Sequence, residues 1–133
     1  MKLRTWTLSG AMAGALVLIA GTALADDPMA NTYGNTVNTV EKDNGAKGKM
    51  MFNQDGTYSV SGTDAKGNPV GYNGHWTLKD GDMTICMTPD APPDAKSAPP
   101  AACAPIEKHN VGDSWTVTND QKQTYDVSIS AGR

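Results

Sequence analysis

The sequence predicts an all-β fold: a small antiparallel meander of seven or eight strands closing into a barrel or half-barrel, with a β-sandwich as the alternative. Three observations predict it. Large apolar side chains fall in alternating runs separated by Asn, Asp and Gly, the pattern of strands between turns. Nothing after Asp26 repeats every 3.6 residues over three turns, and Thr, Val and Tyr outnumber Ala and Leu in the ordered-looking stretches. The two cysteines, Cys86 and Cys103, flank a proline-rich stretch, and a disulfide between them brings a further strand back beside the one that carries Cys86.

Residues 1–25 read as an export leader. Lys2 and Arg4 give a basic start, Ala11–Leu24 is apolar or small, and Ala23-Leu24-Ala25 has the form a signal peptidase accepts. The stretch is short for a membrane span, so no span is expected after processing. The chain of 133 residues then leaves one mature domain, residues 26–133, in the periplasm or secreted. An oxidising compartment makes a Cys86–Cys103 disulfide the expectation, worth roughly 3 kcal/mol for a loop of about 17 residues in the chain-entropy model. The leader carries two of the eleven basic residues and none of the fourteen acids, so the mature charge is −5. Affinity for phosphate backbones comes from Lys and Arg, and here they are few and scattered, which argues against nucleic acid.

The strands follow in order. Asp26–Ala30 is expected to be a flexible start. Tyr33–Val40 is a weak first strand, because its two valines fall on opposite faces. Lys47–Asn53 pairs with Thr57–Ser61 through Gln54-Asp55-Gly56. A three-residue loop with Gly56 left-handed sets Phe52 against Tyr58 and Met50 against Val60, keeping the apolar set on one face. Val70–Leu78 and Met83–Thr88 form a hairpin through Asp80-Gly81; a two-residue turn sets Trp76 against Ile85 and His75 beside Cys86. Ala104–His109 follows, with His109 a solvated strand end. Asp113–Thr118 and Gln123–Ile129 turn through Asp120-Gln121-Lys122, with Trp115 facing Val127 and Val117 facing Tyr125. The Pro-rich loop 89–102 cannot join a ladder and projects from the sheet.

Leu, Ile, Val and Phe number only 12 in the mature chain, and Tyr, Trp and Met raise the large apolar side chains to 23. The core is therefore expected to be thin and any cavity small. No Gly-x-Ser-x-Gly elbow occurs, the only glutamates are Glu41 and Glu107, and most aspartates sit at turns or strand ends, so the protein reads as no enzyme and needs no cofactor. The mature domain reads as a binding or envelope-structural module, and its aromatic strand faces, Tyr58, Tyr72, Trp76 and Trp115, are the candidate binding residues for a protein, a peptide or a small apolar ligand. His75, Met50, Met83 and Met87, beside Trp76, resemble the copper-holding inventory of small periplasmic β-barrel chaperones, since thioether sulfur suits cuprous ion. The expected register turns His75 away from Met83 and Met87, so the methionines are read as fillers of an irregular core.

Gly74-His75-Trp76, the hairpin at Gly81-Asp82, Cys86, Cys103 and Val111-Gly112-Asp113-Ser114-Trp115 resemble small uncharacterised exported β-proteins of Gram-negative bacteria. Gly-x-Trp is also shared with lipocalin-type barrels and with periplasmic inhibitors of secreted proteases. In those groups it lies on the first strand, with Trp closing the barrel base; here it lies mid-chain. The inhibitor resemblance implies a blocking segment, either the N-terminal arm or the Pro-rich loop.

Overall fold

Alternation along each run becomes a ladder that buries one face and wets the other. The computed structural model describes residues 27–92 and 99–133, so the leader and the middle of the Pro-rich loop lie outside the described residues. Eight strands form: β1 Thr36–Glu41, β2 Lys47–Phe52, β3 Thr57–Thr63, β4 Pro69–Lys79, β5 Thr84–Pro89, β6 Ala102–Pro105, β7 Ser114–Thr118 and β8 Thr124–Ser130. All neighbours are antiparallel, in the order β6-β5-β4-β3-β2-β1-β8-β7. Read as a ring, that order is the chain order, so β6 meets β7 and a nearly closed up-and-down barrel results. Asp120 ties this seam: its amide donates to the Cys103 carbonyl (2.8 Å) and its Oδ1 accepts from the Cys103 amide (3.0 Å).

Two registers follow the burial pattern. Phe52 lies opposite Tyr58 and Met50 opposite Val60, with Gly56 left-handed as required (φ 91°). Trp115 faces Val127 and Val117 faces Tyr125. Their turn is shaped by Asn119, whose Oδ1 accepts from the amides of Gln121 and Gln123, both at 3.0 Å. The disulfide joins Cys86 and Cys103, which are direct cross-strand partners.

Other expectations need correction. The β4–β5 hairpin does not turn in two residues. Asp80, Gly81 and Asp82 all take positive φ, and the Met83 amide donates to the Lys79 carbonyl (3.2 Å). This longer loop frees the Met83 carbonyl to accept from Ile106 (3.0 Å), which anchors the chain after β6. Each pairing shifts by two, so Trp76 faces Met87, Leu78 faces Ile85, and Thr77 rather than His75 stands beside Cys86. An even shift leaves every side chain on its expected face, so the apolar set survives the error. The first strand starts at Thr36 rather than Tyr33, and β6 spans Ala102–Pro105 rather than Ala104–His109.

The N-terminal segment is not a loose start. Met29 is fully buried (0 % exposed), and it joins Val37, Met50, Phe52, Tyr58, Ile85, Val127 and Ile129 in the core. Turns bonded from Thr32 to Met29 and from Asn35 to Thr32 fold residues 29–35 under the barrel. Trp76 is held beneath by its indole N–H, which donates to the carbonyls of Asn53 and Thr57 (both 3.1 Å), and it meets Phe52 edge-to-face.

Candidate functional site

Strand direction divides the loops between two ends. Residues 27–35, 53–56, 80–83, 106–113 and 131–133 share the base. The mouth carries 42–46, 64–68 and 119–123, with the described ends of the β5–β6 connection, residues 90–92 and 99–101. The base is cross-linked by bonds between distant segments. Asn31 Nδ2 donates to the His109 carbonyl (2.9 Å), Thr36 Oγ1 donates to the Gly132 carbonyl (2.7 Å), and the Gly132 amide donates to Asn35 Oδ1 (3.0 Å). The Arg133 guanidinium donates to Asn53 Oδ1 (2.9 Å) and to the Phe52 carbonyl.

Above this floor the barrel is hollow. A cavity of about 960 Å³ runs inside it, a volume suited to a small organic molecule. The expectation of a small cavity is thereby corrected, and the ladder shows why. One inward row reads Val127, Thr39, Gly48, Gly62 and Val70 across five strands, so its centre carries no bulky side chain. The next row down, Ile129, Val37, Met50, Val60 and Tyr72, supplies the wall. Gly62 also lets β2 come close: a Cβ there would stand 2.0 Å from the Lys47 carbonyl oxygen. Gly74 is covered by the Tyr58 ring, whose atoms lie 2.6 Å from where a Cβ would be.

Tyr58, Tyr72 and Trp115 line this cavity, as do Met50, Met83 and Met87. Trp76 instead packs in the floor between Tyr33 and Phe52. Met83 stands in the basal loop with 68 % of its surface exposed. His75 is on the outer surface, with its Nδ1 2.9 Å from Asp90 Oδ1, so the copper inventory is split between inside and outside. Among the described residues, no group of three or more His, Cys, Asp or Glu is placed to hold a metal ion.

Burial shapes the chemistry of the wall. Desolvation raises the pKa of Tyr58, with Tyr72 and Asp90 adding to it, and also raises that of Tyr72. Tyr125, cross-strand from Glu41 near the mouth, is raised by desolvation first, then by Glu41 and Tyr72. These phenols therefore present neutral hydroxyls at any ordinary pH.

His109, expected to be solvated, lies inside. Its side chain is 17 % exposed and stacks on Trp115, the ring planes 8° apart and the centroids 3.6 Å apart. Both His109 and Glu107 line the cavity. The residue was missed because it stands in the connection after β6, its partner Trp115 is on β7, and no local pattern announces the pairing. Comparison with protein families, characterised proteins and solved structures gives no match.

Proposed function

We propose that the protein is an exported, non-enzymatic carrier or sensor that takes one small apolar molecule into the barrel through the mouth. A single observation supports the reading above all: a hollow of about 960 Å³ inside the barrel, with Met, Tyr, Val and Trp side chains among those that wall it. A core with so few large side chains would gain more stability by collapsing on itself, since burial of apolar area is its main favourable term. Keeping the space instead leaves apolar wall available to a guest. The disulfide belongs to an oxidising, extracytoplasmic compartment, which fits the leader read from residues 1–25 and a periplasmic or secreted site. A binding module of this kind needs no catalytic group and no cofactor.

The test is titration of the mature protein with Nile red, a neutral dye that brightens in apolar surroundings. Saturable binding of one dye per chain, with blue-shifted emission, is the expected result. Val70→Trp at the half-open mouth is expected to weaken it at least about tenfold, a loss of roughly 1.4 kcal/mol. Dye that stays dark, or a Val70→Trp variant that binds as before, contradicts the proposal.

A further inference from the structure

Resting on that reading, we infer that the guest is uncharged and carries a carbonyl group, whose oxygen accepts hydrogen bonds from the tyrosine hydroxyls of the lumen, that of Tyr72 first. The ladder places these tyrosines around the empty row. Val127, Thr39, Gly48, Gly62 and Val70 leave the middle of the lumen without bulk; Tyr72 stands in the row beneath, and Tyr125 in the row above, opposite Glu41. Tyr58 joins from the base side, its ring edge-to-face on Tyr72 with centroids 6.5 Å apart. All three line the cavity, so the space over the two glycines has phenols below it and above it.

Among the described residues, no hydrogen bond occupies the hydroxyl of Tyr58, Tyr72 or Tyr125. Nor are these hydroxyls sealed off: the one fully buried side-chain polar atom without a partner among those residues belongs to His109, and Tyr72 keeps 45 % of its surface open. Desolvation holds all three phenols protonated, so each offers a donor. A guest that fills the lumen displaces the water that otherwise serves these donors, and unless it brings an acceptor their bonds are left unmade. A carbonyl oxygen has two lone pairs, so it can accept from Tyr72 and from a second tyrosine together. Charge decides against an anionic acceptor. Glu41 acts on Tyr125 and Asp90 on Tyr58, both negative, and Glu41, Asp64 and Glu107 outnumber Lys47 in the cavity wall. The lumen therefore favours a ketone or an ester over the carboxylate of the same chain.

Infrared spectroscopy of methyl nonyl ketone bound to the mature protein reads the contact directly, since hydrogen bonding lowers the carbonyl stretching frequency. The bound ketone is expected to absorb below its frequency in hexane, and the double variant Tyr72→Phe, Tyr125→Phe to return it toward the hexane value. Competition against bound Nile red supplies the affinity. In the double variant the ketone should need about tenfold more relative to undecene, which has the chain but no acceptor; that factor is the worth of one hydrogen bond. Taking the ratio of ketone to alkene cancels any change in the affinity of the dye itself. In the native protein undecanoate should need a higher concentration than the ketone. A carbonyl band at its hexane frequency in the native complex, an unchanged ketone-to-alkene ratio in the double variant, or preference for undecanoate overturns the inference while leaving the carrier reading intact. Failure of Nile red to bind at all overturns both.

Discussion

The base and the mouth of the barrel are built by opposite rules. At the base, hydrogen bonds join residues 78, 96 and 97 positions apart, drawing both described ends of the chain and the β6–β7 connection into one floor. At the mouth, the side chains that shape the loops mostly bond within their own turn, beside two ties between segments, Asp120 to Cys103 and the Lys42 amide to the Thr124 carbonyl (2.8 Å). Asp64 Oδ1 accepts the Lys66 and Asn68 amides (both 2.9 Å), Asn119 does the same for its own turn, and Asn44 Oδ1 accepts Ala46 (2.9 Å), all within four residues. Aromatic side chains fill the floor, whereas glycine and threonine line the row nearer the opening. Stability is concentrated where the barrel is shut, and the open end is left with little packing to lose. A thin core can hold a cavity only by such a division.

Breaking the floor should show the largest effect. Phe52→Ala removes the ring that meets Tyr58 and Trp76, and about 3–5 kcal/mol of stability should go with it, measured by urea denaturation. Tyr125→Ala near the mouth should cost less than half as much while weakening Nile red binding. Equal losses at the two sites would erase the distinction between the ends.

The disulfide comes next. Replacing Cys86 and Cys103 together by Ser should cost roughly 3 kcal/mol and lower the thermal midpoint, because the unfolded chain regains a long loop. Asp120→Ala has a smaller effect, about 1 kcal/mol, since the amide of residue 120 can still donate to Cys103. Its sharper sign is faster hydrogen exchange at the Cys103 amide, with exchange in the β2–β3 pair unchanged.

Titration with alkali gives the smallest effect. Tyr33, Tyr58, Tyr72 and Tyr125 all have pKa values raised by burial, so the folded chain holds phenol protons that the unfolded chain releases from about pH 10. The stability they contribute is full below that value and falls as pH rises through the folded values. Absorbance at 295 nm should therefore lag behind free tyrosine and catch up on unfolding. Four phenols titrating as free tyrosine would mean that the lumen is wet and wide open.

Most of the barrel was legible because burial imposes a period of two. Phe52 against Tyr58, and Trp115 against Val127, could be placed from alternation alone, since any other register wets an aromatic ring. The β4–β5 turn was misread because Asp80-Gly81 is a good two-residue turn in isolation, whereas Ile106, more than twenty residues on, claims the Met83 carbonyl. Met29 gave no sign because a single apolar residue among Asp, Pro, Ala and Asn has no period to betray it. The cavity was the larger omission, and part of its cause was in view: Gly48 occupies an inward position of a well-placed strand, and Gly62 lies one residue beyond the expected end of the next, which runs on to Thr63. Counting the bulky residues missed what their spacing leaves empty. His109 lay beyond reach, because its stack on Trp115 depends on the closure of the seam.

The hollow lumen itself is tested most directly by a crystal of the mature protein pressurised with xenon, which enters dry apolar cavities. Xenon density inside the barrel, against Met50, Tyr58 and Met87, is the predicted result. A lumen filled by its own side chains, with no interior xenon, would contradict it.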